Sequence, residues 1–310
     1  MNTMTTLEQR ALSRICTPEG RLLIVAADQR NGMKAVMPDP TVGSTPATIS
    51  TAQLAEAKAD IVTHLGNHAP AILLDPEVAL PEVVADGTLS PHTGLVVGMD
   101  ASGFETRAGL RYTRFVDGVS PRTVRDLGGD AAKMLFYVRP DQQGVGSDVH
   151  KDISDLVDAC NAEGVLLIVE LLTYRLDDED EQTYQERFPQ LVVEAARLGA
   201  TAGAKILKMA YPGSREASAE VTAAADGTPW AVLSAGVDHD TFAGQVTEAV
   251  IGGASGAMAG RALWKDSLST SSAVRESLLT TRALPRLRQL QDILSRAATA
   301  TAQPLVPASA

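Results

Sequence analysis

With 310 residues, 45% of them apolar and 21% charged, the chain can bury a sizeable core, and it contains no apolar run long enough to span a bilayer. A net charge of −11 at pH 7 and a pI near 4.9 argue against nucleic acid and anionic membrane surfaces as partners. Aromatic residues, at 4%, are too few for a base-stacking platform.

The first stretch, MNTMTTLEQRALSRICTPEGR, is charged throughout and lacks the apolar centre of a signal peptide, so the cytoplasm is the expected compartment. Cys16 and Cys160 form no Cys-x-x-Cys pair and read as free, reduced thiols. Eight short apolar runs follow in order: LLIVAAD (22–28), AILLD (71–75), GLVVGM (94–99), AAKMLFYV (131–138), VLLIVELLT (165–173), AKILKMA (204–210), WAVLSAG (230–236) and ASGAMAG (254–260). They are continuous rather than alternating, as in strands covered on both faces.

Helical spacing occupies several of the intervals, at 50–67, 148–163, 180–200 and 239–251. SPRTVRDLGG (120–129) opens with a serine cap and a proline and closes on glycine. Residues 100–117 read as an irregular excursion or a hairpin, and the helix after AILLD is short. Strands alternating with helices predict parallel βαβ units, and eight of them predict an α/β fold of the (β/α)8 TIM-barrel type. The rival, an open doubly wound sheet, lacks a GxGxxG after its first strand. The expected organisation is one barrel domain over 1–298, with an N-terminal extension and a last helix near 272–298, and a loose tail over 299–310.

Barrel chemistry sits at the C-terminal ends of the strands. Polar residues in or just after the runs are Asp28-Gln29-Arg30, Asp75-Pro76-Glu77, Lys133, Glu170, Lys205 and Lys208, Ser234-Ala235-Gly236, and Gly260-Arg261. Asp75 reads as a turn cap, and Lys205, starting its strand, reads as a side chain snorkelling to water at the barrel floor. Lys133, Glu170 and Lys208 stand apart. They come from three successive runs, each among apolar neighbours, and adjacent parallel strands lie roughly 4.8 Å apart, so inward side chains can touch. A lysine beside a second cation in a dry pocket loses its proton more readily. The free amine adds to a ketone as a Schiff base, and a neighbouring carboxylate moves the protons. The turns at 234–236 and 260–261 follow the seventh and eighth runs, where barrels commonly bind phosphate. His64 and His68 stand four apart on a helix and read as a solvated face. With no HExxH, no Cys/His cluster and no GxSxG, neither a metal site nor a serine nucleophile is expected.

The segments AADQRNGMK, AILLDPEVALP, GGDAAKMLFYVRPD, LIVELLTY, ILKMAYP, VLSAGVD and GASGAMAGRALWK, in this order between about 20 and 266, resemble the class I tagatose 1,6-bisphosphate aldolase family, which includes the bacterial sulfofructosephosphate aldolases. The resemblance implies a (β/α)8 barrel without a metal or other cofactor. It implies cleavage of a ketose phosphate to dihydroxyacetone phosphate and a three-carbon aldehyde. By matching motifs, the Schiff-base lysine falls on Lys208, the acid/base glutamate on Glu170 and an auxiliary lysine on Lys133. Asp28, Gln29 and Arg30 of the DQR segment would hold substrate hydroxyls or relay protons. Ser234, Gly236, Gly260 and Arg261 would hold the dihydroxyacetone phosphate group. The resemblance also implies a homo-oligomer.

Two departures leave the far end of the substrate open. Ala210 stands where the family often has an acidic residue, and the stretch from Lys208 to the seventh run is short, as in the sulfosugar branch, whereas LLDPEVALP and ELLTY are closer to the tagatose branch. The expected substrate is tagatose or fructose 1,6-bisphosphate. A sulfofructose 1-phosphate aldolase, a non-catalytic sugar-phosphate sensor and a metal-dependent barrel lyase or epimerase are the alternatives.

Overall fold

The computed structural model describes residues 4–37, 45–300 and 305–306. In chain order its strands are β1 (Leu22–Ala26), β2 (Ala71–Leu74), β3 (Gly94–Gly98), β4 (Asp100–Arg107), β5 (Leu110–Phe115), β6 (Ala131–Val138), β7 (Leu166–Thr173), β8 (Ile206–Met209), β9 (Trp230–Leu233) and β10 (Gly256–Ala259). All but β4 and β5 pair in parallel and close into an eight-stranded barrel in the order β1-β10-β9-β8-β7-β6-β3-β2. Each barrel strand falls within one of the eight apolar runs. The structure is therefore the predicted (β/α)8 barrel, with β4 and β5 as an antiparallel hairpin inserted after β3.

Alternation along the strands divides the interior in two. Leu22, Ile24, Leu73, Val96, Ile168 and Ile206 point inward and pack together inside the barrel. Their neighbours, such as Leu23, Val25, Ile72, Val97, Val169 and Leu207, face outward into the helical layer. Both faces are apolar, which is why the runs are continuous. Followed toward the strand ends, the inward positions change character: Ala26 is succeeded by Asp28, Ala131 by Lys133, Ile168 by Glu170 and Ile206 by Lys208. The period of two thus delivers all four charged groups to the same interior space.

The helix Thr6–Arg14 plugs the opposite end, its Ala11 and Leu12 joining the inner cluster. Here Lys205 departs from expectation. It does not reach water: it is buried, paired with Glu8, and it donates to Asn161 Oδ1 at 2.6 Å. The helix begins too close beneath β8 for a lysine to escape, and Glu8 supplies the counter-charge.

Helices follow the predicted spacing at Thr51–His64, Asp148–Glu163, Glu181–Thr201 and His239–Ile251. The helix Arg215–Ala224, between β8 and β9, has no counterpart in the predicted segments. The expected tail over 299–310 falls largely outside the described residues. The last helix runs through Ala300, and Leu305 donates its N–H to the Gly20 carbonyl at 3.1 Å beneath the barrel floor. Cys16 and Cys160 are buried free thiols, pushed up to about 12 by burial.

Candidate active site

The site starts with the chain segment leaving β1. Lys58 lies on the buried stripe of the helix Thr51–His64, between Leu54 and Ile61, and is fully buried. Its ammonium donates to the carbonyls of Ala27 at 2.5 Å and Gln29 at 3.0 Å and pairs with Asp75 at 2.6 Å. Asp75 Oδ1 accepts the N–H groups of Glu77 and Val78 at 3.1 and 2.8 Å, so the predicted turn cap also anchors Lys58. Segment 27–29 is thereby fixed, and with it the direction of Asp28 and Gln29.

Lys133 occupies the centre. Its ammonium lies 3.0 Å from Asp28, 2.9 Å from Asp100 and 2.7 Å from Glu170, one carboxylate for each N–H. Burial opposes its charge, but the three carboxylates outweigh burial and raise Lys133 well above the usual lysine range. It is a fixed cation. Lys208 is opposite Glu170 in the β7–β8 register, and its Nζ lies 2.9 Å from the same oxygen, Oε2, that Lys133 holds. Burial works against the charge of Glu170, and the two lysines overcome it, leaving the carboxyl below its usual range. Asp28 is likewise penalised by burial but drawn down to about 2, chiefly by Lys133 and Lys208. Asp100 moves the other way: burial raises it, Lys133 only partly offsets this, and Asp28 and Glu170 add to the rise.

Across the barrel mouth, Ser234-Ala235-Gly236 and Gly260-Arg261 are stitched together. Gly260 donates its N–H to Ser234 Oγ at 3.4 Å, and Lys265 donates to the Gly236 carbonyl at 2.7 Å. Ala235 and Gly236 both have positive φ, 47° and 83°, and a Cβ at position 236 would lie 3.0 Å from the Arg261 guanidinium carbon. Glycine lets Arg261 lie flat against that turn. A cavity of about 290 Å³ joins the two halves and is lined by Gln29, Glu170, Lys208, Ser234, Gly260 and Arg261 among others. The buried side-chain oxygen of Gln29 has no hydrogen-bond partner among the described residues.

Nine of the ten sequence-predicted residues thus border or support one cavity, Gly236 acting through Arg261, and Asp28 and Lys133 lying behind Glu170. Arg30 is placed differently. Its guanidinium pairs with Glu77 at 2.5 Å and donates to the Asp100 carbonyl at 2.8 Å, so it braces the rim and is absent from the cavity wall. His64 is half-buried and His68 exposed. Asp100 and Lys58 are site residues not among those predicted. Asp100 directly follows the run GLVVGM, and Lys58 is a lysine on an apolar helical stripe; both signals are present in the sequence. Among the described residues no three His, Cys, Asp or Glu side chains are grouped to hold a metal, because the three central carboxylates converge on an ammonium.

A closed parallel barrel with paired lysines and carboxylates at its C-terminal mouth, facing an arginine-bearing double loop, defines a barrel enzyme of the lyase class. The chain belongs to the DeoC/LacD family of aldolases, whose family model matches residues 22–266. It is 26% identical over 331 residues to the tagatose 1,6-diphosphate aldolase of Streptococcus pneumoniae serotype 4, covering 96% of this chain and 98% of that one. It is also 26% identical over 330 residues to the same-named protein of Lactococcus lactis subsp. lactis, covering 95% and 97%. Among solved structures it resembles the fructose-bisphosphate aldolase of Slackia heliotrinireducens, with a TM-score of 0.64 at 18% identity over 98% of this chain and 95% of that one. A Schiff-base-forming fructose-1,6-bisphosphate aldolase gives a TM-score of 0.62 at 16% identity over 93% and 99%. At such identities the likeness is one of fold.

Proposed function

We propose that this aldolase is of class I, cleaving a ketose 1-phosphate, tagatose or fructose 1,6-bisphosphate, to dihydroxyacetone phosphate and glyceraldehyde 3-phosphate. The observation that carries this reading is the shared oxygen of Glu170, with Lys208 at 2.9 Å and Lys133 at 2.7 Å. Of the two lysines only one is free to act as a nucleophile. Lys133 spends its three N–H groups on three carboxylates and stays an ammonium. Lys208 makes one ion pair among the described residues, with Glu170, and borders the cavity.

In this mechanism the Glu170 carboxylate takes a proton from Lys208, the freed Nζ adds to the C2 carbonyl, and Glu170 passes this proton and a second one lost from the nitrogen to the C2 oxygen, which leaves as water. The iminium accepts the electron pair of the C3–C4 bond as the C4 hydroxyl gives up its proton, and the aldehyde departs. The enamine is protonated at C3, and hydrolysis returns the amine and dihydroxyacetone phosphate. Lys133 keeps Glu170 oriented and stabilises its anionic form between proton transfers. Arg261, with the turns at Ser234–Gly236 and Gly260, holds the C1 phosphate, and the unpartnered Gln29 oxygen accepts from a substrate hydroxyl. Arg30 serves the site at one remove, by holding Asp100.

Reduction with borohydride in the presence of substrate should attach a three- or six-carbon adduct to Lys208, read by peptide mass spectrometry. An active preparation whose Lys208 stays unmodified rejects the assignment. Turnover should persist after treatment with chelator. The short connection between β8 and β9, which carries one ten-residue helix, favours a second substrate reading, a 6-sulfo ketose 1-phosphate. Comparing kcat/KM for the 6-phospho and 6-sulfo ketoses decides between them.

A further inference from the structure

The Arg261 loops supply one anion pole, and a ketose carrying a second anionic group needs another. Several cations near the barrel mouth are already committed: Arg30 to Glu77, Lys58 to Asp75, Arg139 to Asp141 and Glu179, and Arg187 to the same two carboxylates. Arg111 is different. It has no carboxylate partner among the described residues; its guanidinium lies between two aromatic faces, 4.4 Å from the Phe104 ring centre and 4.7 Å from that of Tyr174.

Its position is built. The Arg111 N–H donates to the Tyr174 hydroxyl at 2.9 Å, and that hydroxyl donates to Gln143 Oε1 at 3.1 Å. Gln143 is buried and also accepts the Arg139 N–H at 2.9 Å. The hairpin is therefore locked to the loops that follow β6 and β7. The lock lies beside the cavity. Tyr174 directly follows Thr173, which lines it, and Tyr137, edge-on to both Phe104 and Tyr174, is opposite the cavity-lining Leu172 in the β6–β7 register. The Tyr137 phenol is raised first by burial and then by Asp100 and Glu170, while Arg111 opposes the rise. Tyr137 thus adjoins both the aromatic pair that holds Arg111 and the strand position of the cavity-lining Leu172.

We infer that Arg111 forms a second anion subsite, which binds the tetrahedral oxyanion, phosphate or sulfonate, at the end of the sugar away from Arg261. Stacking holds the guanidinium plane in place while leaving its N–H edge free for bidentate contacts, a geometry suited to either oxyanion. The inference rests on the proposed ketose-phosphate reading but can be tested without turnover.

Calorimetric binding of hexitol 1,6-bisphosphate, hexitol 1-phosphate and the 6-sulfo hexitol 1-phosphate, none of which has a ketone for Lys208, separates the two questions. The wild type should bind at least one doubly anionic hexitol about tenfold or more tightly than the monophosphate, the order of one charge-assisted hydrogen bond. Which of the two it prefers distinguishes phosphate from sulfonate. Arg111→Leu should erase that preference and leave monophosphate binding unchanged; Arg111→Lys, which keeps charge but loses the planar fork, should retain part of it. Melting curves establish that each variant is folded. Equal binding of all three hexitols by the wild type, or an undiminished preference in either folded Arg111→Leu or Arg111→Lys, overturns the inference. Failure of borohydride trapping at Lys208 would count against the mechanism and leave the subsite standing.

Discussion

At the level of single residues the site is an arrangement of charges that correct one another. Lys133, Glu170 and Lys208 are legible in the sequence because a charged side chain inside an apolar run costs several kcal/mol unless it is paired, so its presence calls for a partner. Asp100 is less legible, because it opens the hairpin and reads as loop. Its carboxylate completes the hold on Lys133, and its Oδ1 also accepts the Leu135 N–H at 3.2 Å. Asp100→Asn should lower kcat at least tenfold while changing KM little, since the residue acts through Lys133 and does not border the cavity. The pH dependence of stability follows from Asp28. Its carboxyl is depressed in the fold to about 2, so its charge stabilises the protein above the ordinary aspartate pKa near 4, and the contribution fades as pH falls toward 2. Asp28→Asn should therefore destabilise by about 2 kcal/mol at pH 7. The penalty, measured by urea unfolding, should shrink steadily between pH 4 and pH 2; a constant penalty would mean that Asp28 is not held as an anion by Lys133 and Lys208.

Whole elements were legible to different degrees, and the reasons are physical. Asp148–Glu163 and His239–Ile251 match their predicted spans because a capping residue and an amphipathic stripe agree. Arg215–Ala224 escaped notice because six of its ten residues are alanine, serine or threonine, whose spacing marks no clear apolar face, although Ser214 caps it. The hairpin is one of two readings that residues 100–117 allow, an irregular excursion being the other. Its two-residue turn, Ala108-Gly109, has positive φ at both positions, and the alanine there disguises a turn that asparagine or glycine would announce. The N-terminal helix gives the clearest test at this scale. Glu8 is reached by Lys205, the residue before β8, and also closes the helix cap by accepting the Thr5 N–H at 2.7 Å, so one carboxylate joins the plug to the barrel. Glu8→Ala would leave the Lys205 ammonium buried against Asn161 alone, and a loss of about 3–5 kcal/mol is expected in denaturant unfolding. The double variant Glu8→Leu with Lys205→Met should recover most of that loss, and both variants should keep the wild-type KM, because the pair lies at the end of the barrel remote from the cavity. A Glu8→Ala protein as stable as the wild type would show that the plug is held by Ala11 and Leu12 alone.

For the molecule as a whole, the count of eight runs made the barrel legible, but not the seam where it closes. Closure joins β1 to β10 across nearly the full length of the chain, with Leu22 opposite Gly256. No local pattern records a contact between residues so far apart; the one trace is the glycine itself. A Cβ at position 256 would fall 1.9 Å from the Leu22 carbonyl oxygen, and at the other end of the same seam a Cβ at position 260 would lie 3.1 Å from the Ala26 carbonyl oxygen. The strands are thus tightest at the floor and remain close at the mouth, where β1 leads into Asp28 and Gln29 and β10 into Gly260 and Arg261, so the two banks of the site are joined through the seam. Gly256→Ala must push backbone against backbone, which cannot be relieved by turning a side chain, and a destabilisation of about 3 kcal/mol or more is expected. Because the strain enters at the floor and the strands are stiff, the displacement should reach the mouth as a raised KM for the phosphorylated ketose, with the rate of borohydride trapping at Lys208 under saturating substrate much less affected. If Gly256→Ala instead melts like the wild type, the seam has slack that the glycine does not control, and the coupling between barrel closure and phosphate binding is refuted with it.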